Sequence, residues 1–141
     1  MSADMSAEKE TVTFVTVPEW PSPKGYANGA LGQGRVLHVA GQIGIDSDGV
    51  IASDDGVVSE MAQALDNVLA VVRAAGGAPQ HIASMTIYCT DVERYYQAGR
   101  SLRQVWKQRL GDHYPAMALI GVTRLFESSA AIEIQAVAYL P

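Results

Sequence analysis

Two apolar strands in the last third of the chain constrain the fold more than any other part of the sequence. Residues 114–122 and 131–138 are rich in small and β-branched side chains and are bounded by turn-forming residues. In the second segment Ile132, Ile134, Ala136 and Ala138 fall on one face, and Glu133, Gln135, Val137 and Tyr139 fall on the other. The first segment is apolar on both faces, which predicts a strand buried on both sides.

Two amphipathic helices are predicted between residues 54 and 110. The first begins near Asp54 or Asp55, either of which could cap it, and ends at Gly76-Gly77. The second is capped by Asp91 and carries Lys107 and Arg109 in its last turn. Their apolar stripes recur at three- and four-residue spacing and comprise Val58, Met61, Leu65, Val68, Leu69 and Val72, then Val92, Tyr95, Tyr96, Gly99, Leu102, Val105 and Trp106.

Further strands are predicted at residues 11–17, 35–43 and 84–89, and residues 21–29 form a loop rich in proline and glycine. This alternation of strands and helices along the chain predicts an α+β domain with both helices on one face of the sheet. Two helices leave the other face uncovered. A second copy of the chain is the simplest cover, and Glu133 would then point into an interface between subunits.

Composition sets the broad class of the protein. A chain of 141 residues is long enough for one domain, which is predicted at residues 11–141. The polar residues 1–10 are predicted to form a lead-in before it. The net charge of −5 argues against a nucleic-acid partner and against an anionic membrane surface. The polar first ten residues do not resemble a signal peptide, and the single cysteine excludes an internal disulfide, so the cytoplasm is the expected compartment.

Few side chains suggest chemistry by spacing alone. The three histidines and Cys89 lack metal-ligand spacing, so neither a metal nor a cofactor is expected, and Cys89 is assigned to the core. Tyr26 lies in a glycine-rich loop, where it either packs or contacts a ligand. Glu133 is either solvated, paired, or chemically active. These alternatives stay open at the level of the residues alone.

A resemblance to a known family extends this interpretation. From about Lys24 to Ala138 the chain resembles the Rid family, also called YjgF or L-PSP endoribonuclease-like. No single motif is diagnostic, but their order and spacing are specific. The matching segments are Gly25-Tyr26-Ala27-Asn28-Gly29, Val39-Ala40-Gly41-Gln42-Ile43, Gln63-Ala64-Leu65-Asp66-Asn67-Val68, Ala74-Ala75-Gly76, Met85-Thr86-Ile87-Tyr88, Asp91-Val92, Tyr114-Pro115-Ala116 and residues 132–138.

The resemblance implies a homotrimer of chorismate-mutase-like subunits whose sheets form a central β-barrel, with small-molecule clefts between neighbouring subunits. It also implies hydrolysis of enamines or imines to ketones with release of ammonia. By motif, Glu133 takes the place of the carboxylate that handles water, and Tyr26 that of the cleft tyrosine. Met117 and Ala118 follow the Pro-Ala pair as pocket-lining positions, and Ala40 and Gly41 take the place of the Ser-Gly that lines the cleft.

The sequence departs from the family pattern at three positions. Met117 stands where deaminating members carry an arginine that grips a substrate carboxylate bidentately. Ala40 replaces a common serine, and Gly99 replaces a frequent asparagine. A methionine offers only soft apolar contact, so simple α-imino acids are expected to bind poorly.

Three functions follow from the resemblance. The first is a hydrolytic deaminase acting on a less acidic, more apolar imine or enamine, with Glu133 and Tyr26 as catalytic residues and Met117, Ala118, Ala40 and Gly41 in substrate binding. The second is a trimeric protein that binds a small metabolite without chemistry. The third, a ribonuclease, is disfavoured because the acidic chain lacks a basic track.

Overall fold

The computed structural model describes residues 10–141, and the predicted lead-in at residues 1–10 lies outside this range except for Glu10. The elements in chain order are β1 (Val12–Val15), β2 (Gly29–Gly32), β3 (Arg35–Ile43), α1 (Val57–Ala74), a 3₁₀ turn (Pro79–His81), β4 (Ile82–Cys89), α2 (Val92–Gln97), α3 (Gly99–Leu110), β5 (Ala116–Gly121) and β6 (Ile132–Leu140). The predicted α+β class is confirmed. Of the helices within residues 10–141, none is long and apolar enough to cross a membrane.

The main sheet has four strands in the order β3-β6-β4-β5. Strands β4 and β5 run parallel, and the other neighbours are antiparallel, so the sheet is mixed. The predicted alternation of β6 is confirmed, because Ile132, Ile134, Ala136 and Ala138 are all buried. The intervening residues, including Glu133, therefore face away from the core.

The predicted N-terminal strand forms a hairpin. Strand β1 pairs antiparallel with β2, with Val12 opposite Gly32 and Val15 opposite Gly29. Residues 29–32 (Gly-Ala-Leu-Gly) carry little intrinsic strand signal, because glycine has no side chain to pack on a pleated surface. This strand forms because β1 offers it a hydrogen-bonding partner.

Helix α1 packs its predicted stripe against the sheet, with Met61, Leu65, Val68, Leu69 and Val72 buried. The predicted cap is wrong. Gly56 occupies the N-cap with φ of 57°, and Asp54 and Asp55 lie before it. The Asp55 amide instead donates to the Ser59 hydroxyl at 2.7 Å. A positive φ at the cap suits glycine, so this backbone path leaves neither aspartate in the capping position.

The second predicted helix is divided in two. Asp91 is confirmed as its N-cap, since its carboxylate accepts a hydrogen bond from the Arg94 amide at 3.0 Å. Helix α2 then ends at Gln97, and α3 begins at Gly99, a residue with weak helix propensity. The apolar stripe continues across the break, which explains why periodicity predicted a single helix.

Both helical segments and α1 lie on one face of the sheet, as predicted. The opposite face, called the outer face below, carries exposed apolar side chains, among them Val36 at 50% exposure and Ile120 at 43%. Residues 114–122 are not buried on both sides within one chain, so this burial stays a prediction for an assembly of chains. Strand β5 lies at the sheet edge, and residues 118–121 are exposed. A covering second copy stays a prediction.

Candidate functional site

Tyr26 is held beside strand β5 by the backbone of the next residue. The Ala27 amide donates to the Pro115 carbonyl at 3.0 Å, and Ala27 forms a parallel bridge with Ala116. The Tyr26 side chain is 46% exposed. The glycine-rich loop therefore runs along the beginning of β5 and places Tyr26 next to Met117 and Ala118, which line the same two pockets.

The smaller of these pockets, of about 450 Å³, lies where the Tyr26 loop meets strands β4 and β5. We call it the outer pocket. It is lined by Trp20, Tyr26, Ala27, Asn28, Ser84, Met85, Thr86, Ala116, Met117 and Ala118. Its polar side chains carry hydroxyl, amide and indole N–H groups, which can orient a small ligand without holding a charge.

A larger cavity of about 940 Å³ lies between strand β5 and helices α2 and α3, and we call it the helix groove. Five aromatic side chains, Tyr26, Tyr95, Tyr96, Trp106 and Tyr114, contribute to its walls. Trp106 and Tyr114 stack with their ring centroids 6.0 Å apart, which fixes part of the floor. Burial raises the pKa of Tyr95 to about 12, so its phenol stays a neutral hydrogen-bonding group.

Lys24, Arg100 and Arg103 also line the helix groove, and among the lining residues within 10–141 there is no aspartate or glutamate. The groove is thus positively charged, although the whole chain carries a net charge of −5. The two arginines were missed by sequence reasoning, because charged residues beside an apolar helical stripe normally indicate a solvated face. The three-residue spacing between Arg100 and Arg103 was the available signal, since residues three apart share one side of a helix.

Glu133 occupies a different part of the molecule. It is half-buried on the outer face, paired with Ile43 of β3 on one side and Tyr88 of β4 on the other. The ladder between β3 and β6 shifts register between Val39 and Gln42, and this irregularity leaves Ala40 and Gly41 exposed.

Gly41 lies directly against the Glu133 side chain. A β-carbon built on Gly41 would overlap the Glu133 carboxylate. On the other side of Glu133 along β6, Gln135 accepts a 3.4 Å hydrogen bond from the Tyr88 hydroxyl. The carboxylate is therefore close to backbone on one side and to polar side chains on the other, an arrangement able to position a water molecule.

One chain does not bring all the predicted site residues together. Tyr26, Met117 and Ala118 share two pockets, whereas Glu133, Ala40 and Gly41 line neither of them. Strand β4 lies between the two groups. Two strand spacings, about 10 Å, separate Ile120 of β5 from Glu133 in the same row of the sheet.

A half-buried amide and a buried carboxylate hold the strands that carry Glu133 and Gly41. The Asn67 amide donates to the carbonyls of Ile43 and Ile45 at 2.9 and 2.8 Å. The buried Glu60 carboxylate accepts from the amides of Ala131 and Ile132 at 2.7 and 3.1 Å. Neither role was predicted from the sequence, because both link positions far apart along the chain.

The remaining polar candidates are structural. Cys89 is fully buried, as predicted, and burial raises the pKa of its thiol. His113 contacts the Ile82 carbonyl through Nε2 at 2.7 Å, and burial lowers its pKa. Within residues 10–141 no three His, Cys, Asp or Glu side chains are grouped so as to hold a metal ion. Arg124 donates to the carbonyls of Leu125 and Phe126 and lies outside both pockets.

Comparison with known proteins identifies the family. The family described as Endoribonuclease L-PSP matches residues 19–140. This chain belongs to the Rid/YjgF family. A RutC family protein of Pyrococcus horikoshii is 32% identical over 120 residues, covering 84% of this chain and 90% of the relative.

Two further relatives add to the comparison. A human 2-iminobutanoate/2-iminopropanoate deaminase is 33% identical over 105 residues, covering 74% of this chain and 72% of the relative. A Rid family protein of unknown function from Yersinia pestis has a TM-score of 0.80 at 26% identity, covering 92% of this chain and 99% of that one. The predicted family and the Rid-like α+β fold are therefore confirmed.

Proposed function

We propose that this Rid-family chain hydrolyses a small enamine or imine that differs in class from the simple α-imino acids. The observation that carries the proposal is the position of Glu133, a half-buried carboxylate beside the exposed backbone of Gly41 on an uncovered sheet face. The human relative, a 2-iminobutanoate/2-iminopropanoate deaminase, supports the reaction type.

The site requires two chains. Tyr26, Met117 and Ala118 of one chain would face Glu133 and Gly41 of a neighbour, in a homotrimer with clefts between subunits. Two observations support this assembly. Within one chain, Glu133 and Gly41 line neither of the pockets that Tyr26 lines. The outer face also exposes apolar side chains such as Val36 and Ile120. Burying these side chains would stabilise the assembly.

The reaction needs one water molecule and a carboxylate. Glu133 takes a proton from the water molecule. At the same time the water oxygen bonds to the imine carbon, and the C=N electron pair moves to nitrogen. The protonated Glu133 returns this proton to nitrogen, and the proton of the new hydroxyl group is then also passed to nitrogen. The C–N bond breaks, ammonia leaves, and the remaining oxygen becomes the ketone carbonyl. An enamine enters the same route after protonation at carbon gives the iminium. Tyr26 orients the substrate through its hydroxyl.

Met117 sets the substrate class. Its thioether packs against the core and lines both pockets, in the place where the family arginine would reach a carboxylate. Without a bidentate donor at this position, a small α-imino acid loses its main source of recognition. Substrates with larger apolar groups gain contact area with the methionine instead.

The test is a turnover assay with imines and enamines of increasing apolar size, generated in situ and followed by ammonia release. Replacing Glu133 by glutamine keeps the shape and removes the base, so the rate should fall by about 10²–10⁴-fold with little change in melting temperature. Glu93→Gln, at an exposed helix position, is the matched control. Lost stability with unchanged turnover would contradict the catalytic role of Glu133.

A second function, binding without chemistry, is favoured by one observation. Among the residues that line the helix groove, within the described part of the chain, there is no carboxylate to act as a base. A protein of this kind would bind ligand with an affinity that Glu133→Gln leaves unchanged, and it would release no ammonia from any member of the panel.

A further inference from the structure

We propose that Arg103 holds the acid group of the ligand in the helix groove, and that this ligand is an anion with an aromatic or bulky apolar body. The inference rests on the proposed function for the reacting centre, and it adds the substrate class. It assigns a specificity role to a residue on helix α3, across the groove from Met117 on strand β5.

The position of Arg103 depends on Gly99. The guanidinium Nη1 of Arg103 lies 3.4 Å from the point that a β-carbon on Gly99 would occupy. A side chain the size of asparagine at position 99 would occupy space next to this guanidinium. Met117 and Gly99, two departures from the family pattern that line the groove, are thus related. With Met117, strand β5 lacks the family's cation, and with Gly99, helix α3 has room for the guanidinium of Arg103.

Arg103 is available for a ligand. The neighbouring cations Arg94, Lys107 and Arg109 each pair with an aspartate, at 3.9, 3.1 and 2.8 Å. Within residues 10–141, Arg103 makes no ion pair, and its side chain is exposed at the groove. A guanidinium with free donors beside a cavity is suited to a carboxylate, which it can bind bidentately.

The surroundings of Arg103 favour an anion. Lys24 and Arg100 line the same groove, so three cations act on it. No acidic residue of the described chain lines the groove.

The groove also sets the size of the ligand. Its volume of about 940 Å³ is much greater than a three- or four-carbon imino acid requires. Trp106, Tyr114 and Met117 provide apolar surface between the helices and β5. An acid bound at Arg103 would therefore place an aromatic or branched body over this surface.

Calorimetric titration with phenylpyruvate, pyruvate and the uncharged ketone phenylacetone tests the inference. Phenylpyruvate should bind at least about ten-fold more tightly than either of the others. Arg103→Met should weaken phenylpyruvate binding by about ten-fold or more and leave phenylacetone unaffected. Arg103→Lys should restore part of the affinity, because a lysine keeps the charge without the planar fork.

Arg94→Met is the matched control, since Arg94 is an exposed arginine of the adjacent helix that lies outside the groove. It should leave phenylpyruvate affinity unchanged. Equal affinities for the Arg103→Met and Arg94→Met proteins, equal affinities for pyruvate and phenylpyruvate, or no binding of phenylpyruvate by the wild type would each overturn the inference.

The outcome is separable from that of the proposed function. Phenylpyruvate binding that depends on Arg103, together with no imine turnover, would support the anion site and contradict the deaminase. Turnover of uncharged imines at a rate that Arg103→Met does not change would support the deaminase and contradict the assignment of Arg103.

Discussion

A methyl group on Gly41 would overlap the carboxylate of Glu133. The two residues lie on neighbouring strands, where the β3–β6 ladder shifts register. Glycine at position 41 is therefore required by this close approach rather than by an unusual φ angle, since Gly41 is not among the glycines with positive φ. The position of the proposed general base depends on a residue that has no side chain.

Gly41→Ala should displace the Glu133 carboxylate and reduce turnover by about 10²-fold or more, because a misplaced base loses most of its contribution. The melting temperature should change little, since residue 41 is exposed. Gly29→Ala is the control, because its β-carbon would make only an ordinary 3.7 Å contact with Val15. Full activity of the Gly41→Ala protein would contradict the proposed position of the base.

Met117→Arg should introduce weak binding of small carboxylates such as pyruvate by supplying the missing bidentate donor. The wild type should show negligible hydrolysis of small α-imino acids produced in situ by an amino-acid oxidase. Met117→Gln, which is polar but uncharged, serves as the control and should bind no better than the wild type. Rapid wild-type hydrolysis of these imines would show that Lys24 or a groove arginine already performs the arginine's role.

Sedimentation should give a particle of about three times 15.0 kDa. The exposed apolar side chains of the outer face lose their contact with water only in an assembly, so no stable folded monomer is expected. Val36→Glu should weaken the assembly, because it places a charge on this face. A well-folded monomer at micromolar concentration would contradict both the trimer and the shared site.

Glu60→Ala should lower the free energy of unfolding by about 3 kcal/mol, because the amides of Ala131 and Ile132 would lose a charged acceptor. Urea denaturation at a fixed protein concentration measures the change. Glu127→Ala, which removes an exposed carboxylate bonded to Ser129, should change stability by less than about 0.5 kcal/mol. Equal effects of the two substitutions would show that the buried hydrogen bonds contribute little.

Stability should fall in acid through His113, whose pKa burial lowers from 6.5. A depressed pKa means that the folded state resists protonation, so its stabilising contribution is complete above pH 6.5 and is lost as the pH falls. His113→Gln retains a donor for the Ile82 carbonyl and does not titrate. Between about pH 7.5 and pH 5 the melting temperature of wild type should fall more steeply than that of this variant. Parallel profiles would contradict the assignment.

The parts of the fold with strong periodicity were predictable from the sequence. Strand β3 has the predicted bounds, and Asp91 caps its helix as predicted. The break at Gly99 was not predicted, because one glycine costs only about 1 kcal/mol and periodicity continues through it. Strand β2 was missed, since its pairing with β1 rather than its own composition creates it.

The residues of the candidate site could be predicted from the sequence only where a family motif or the composition of a loop indicated them. The structure brings Tyr26, Met117 and Ala118 together through the Ala27 bridge, which no local pattern encodes. Arg103 was missed because its significance depends on Gly99 and on the opposite wall of a groove, both of which are properties of tertiary packing.

The buried Glu60 carboxylate on helix α1 binds the backbone amides at the start of strand β6. Side chains alternate along a strand, so a slip of one residue would turn Glu133 into the core and bring its apolar neighbours to the surface. Helix α1 thus helps to hold the start of strand β6 in register. A chain lacking Glu60 would lose this anchor at the start of β6, while the buried apolar face of the strand would still keep Glu133 on the outer side of the sheet.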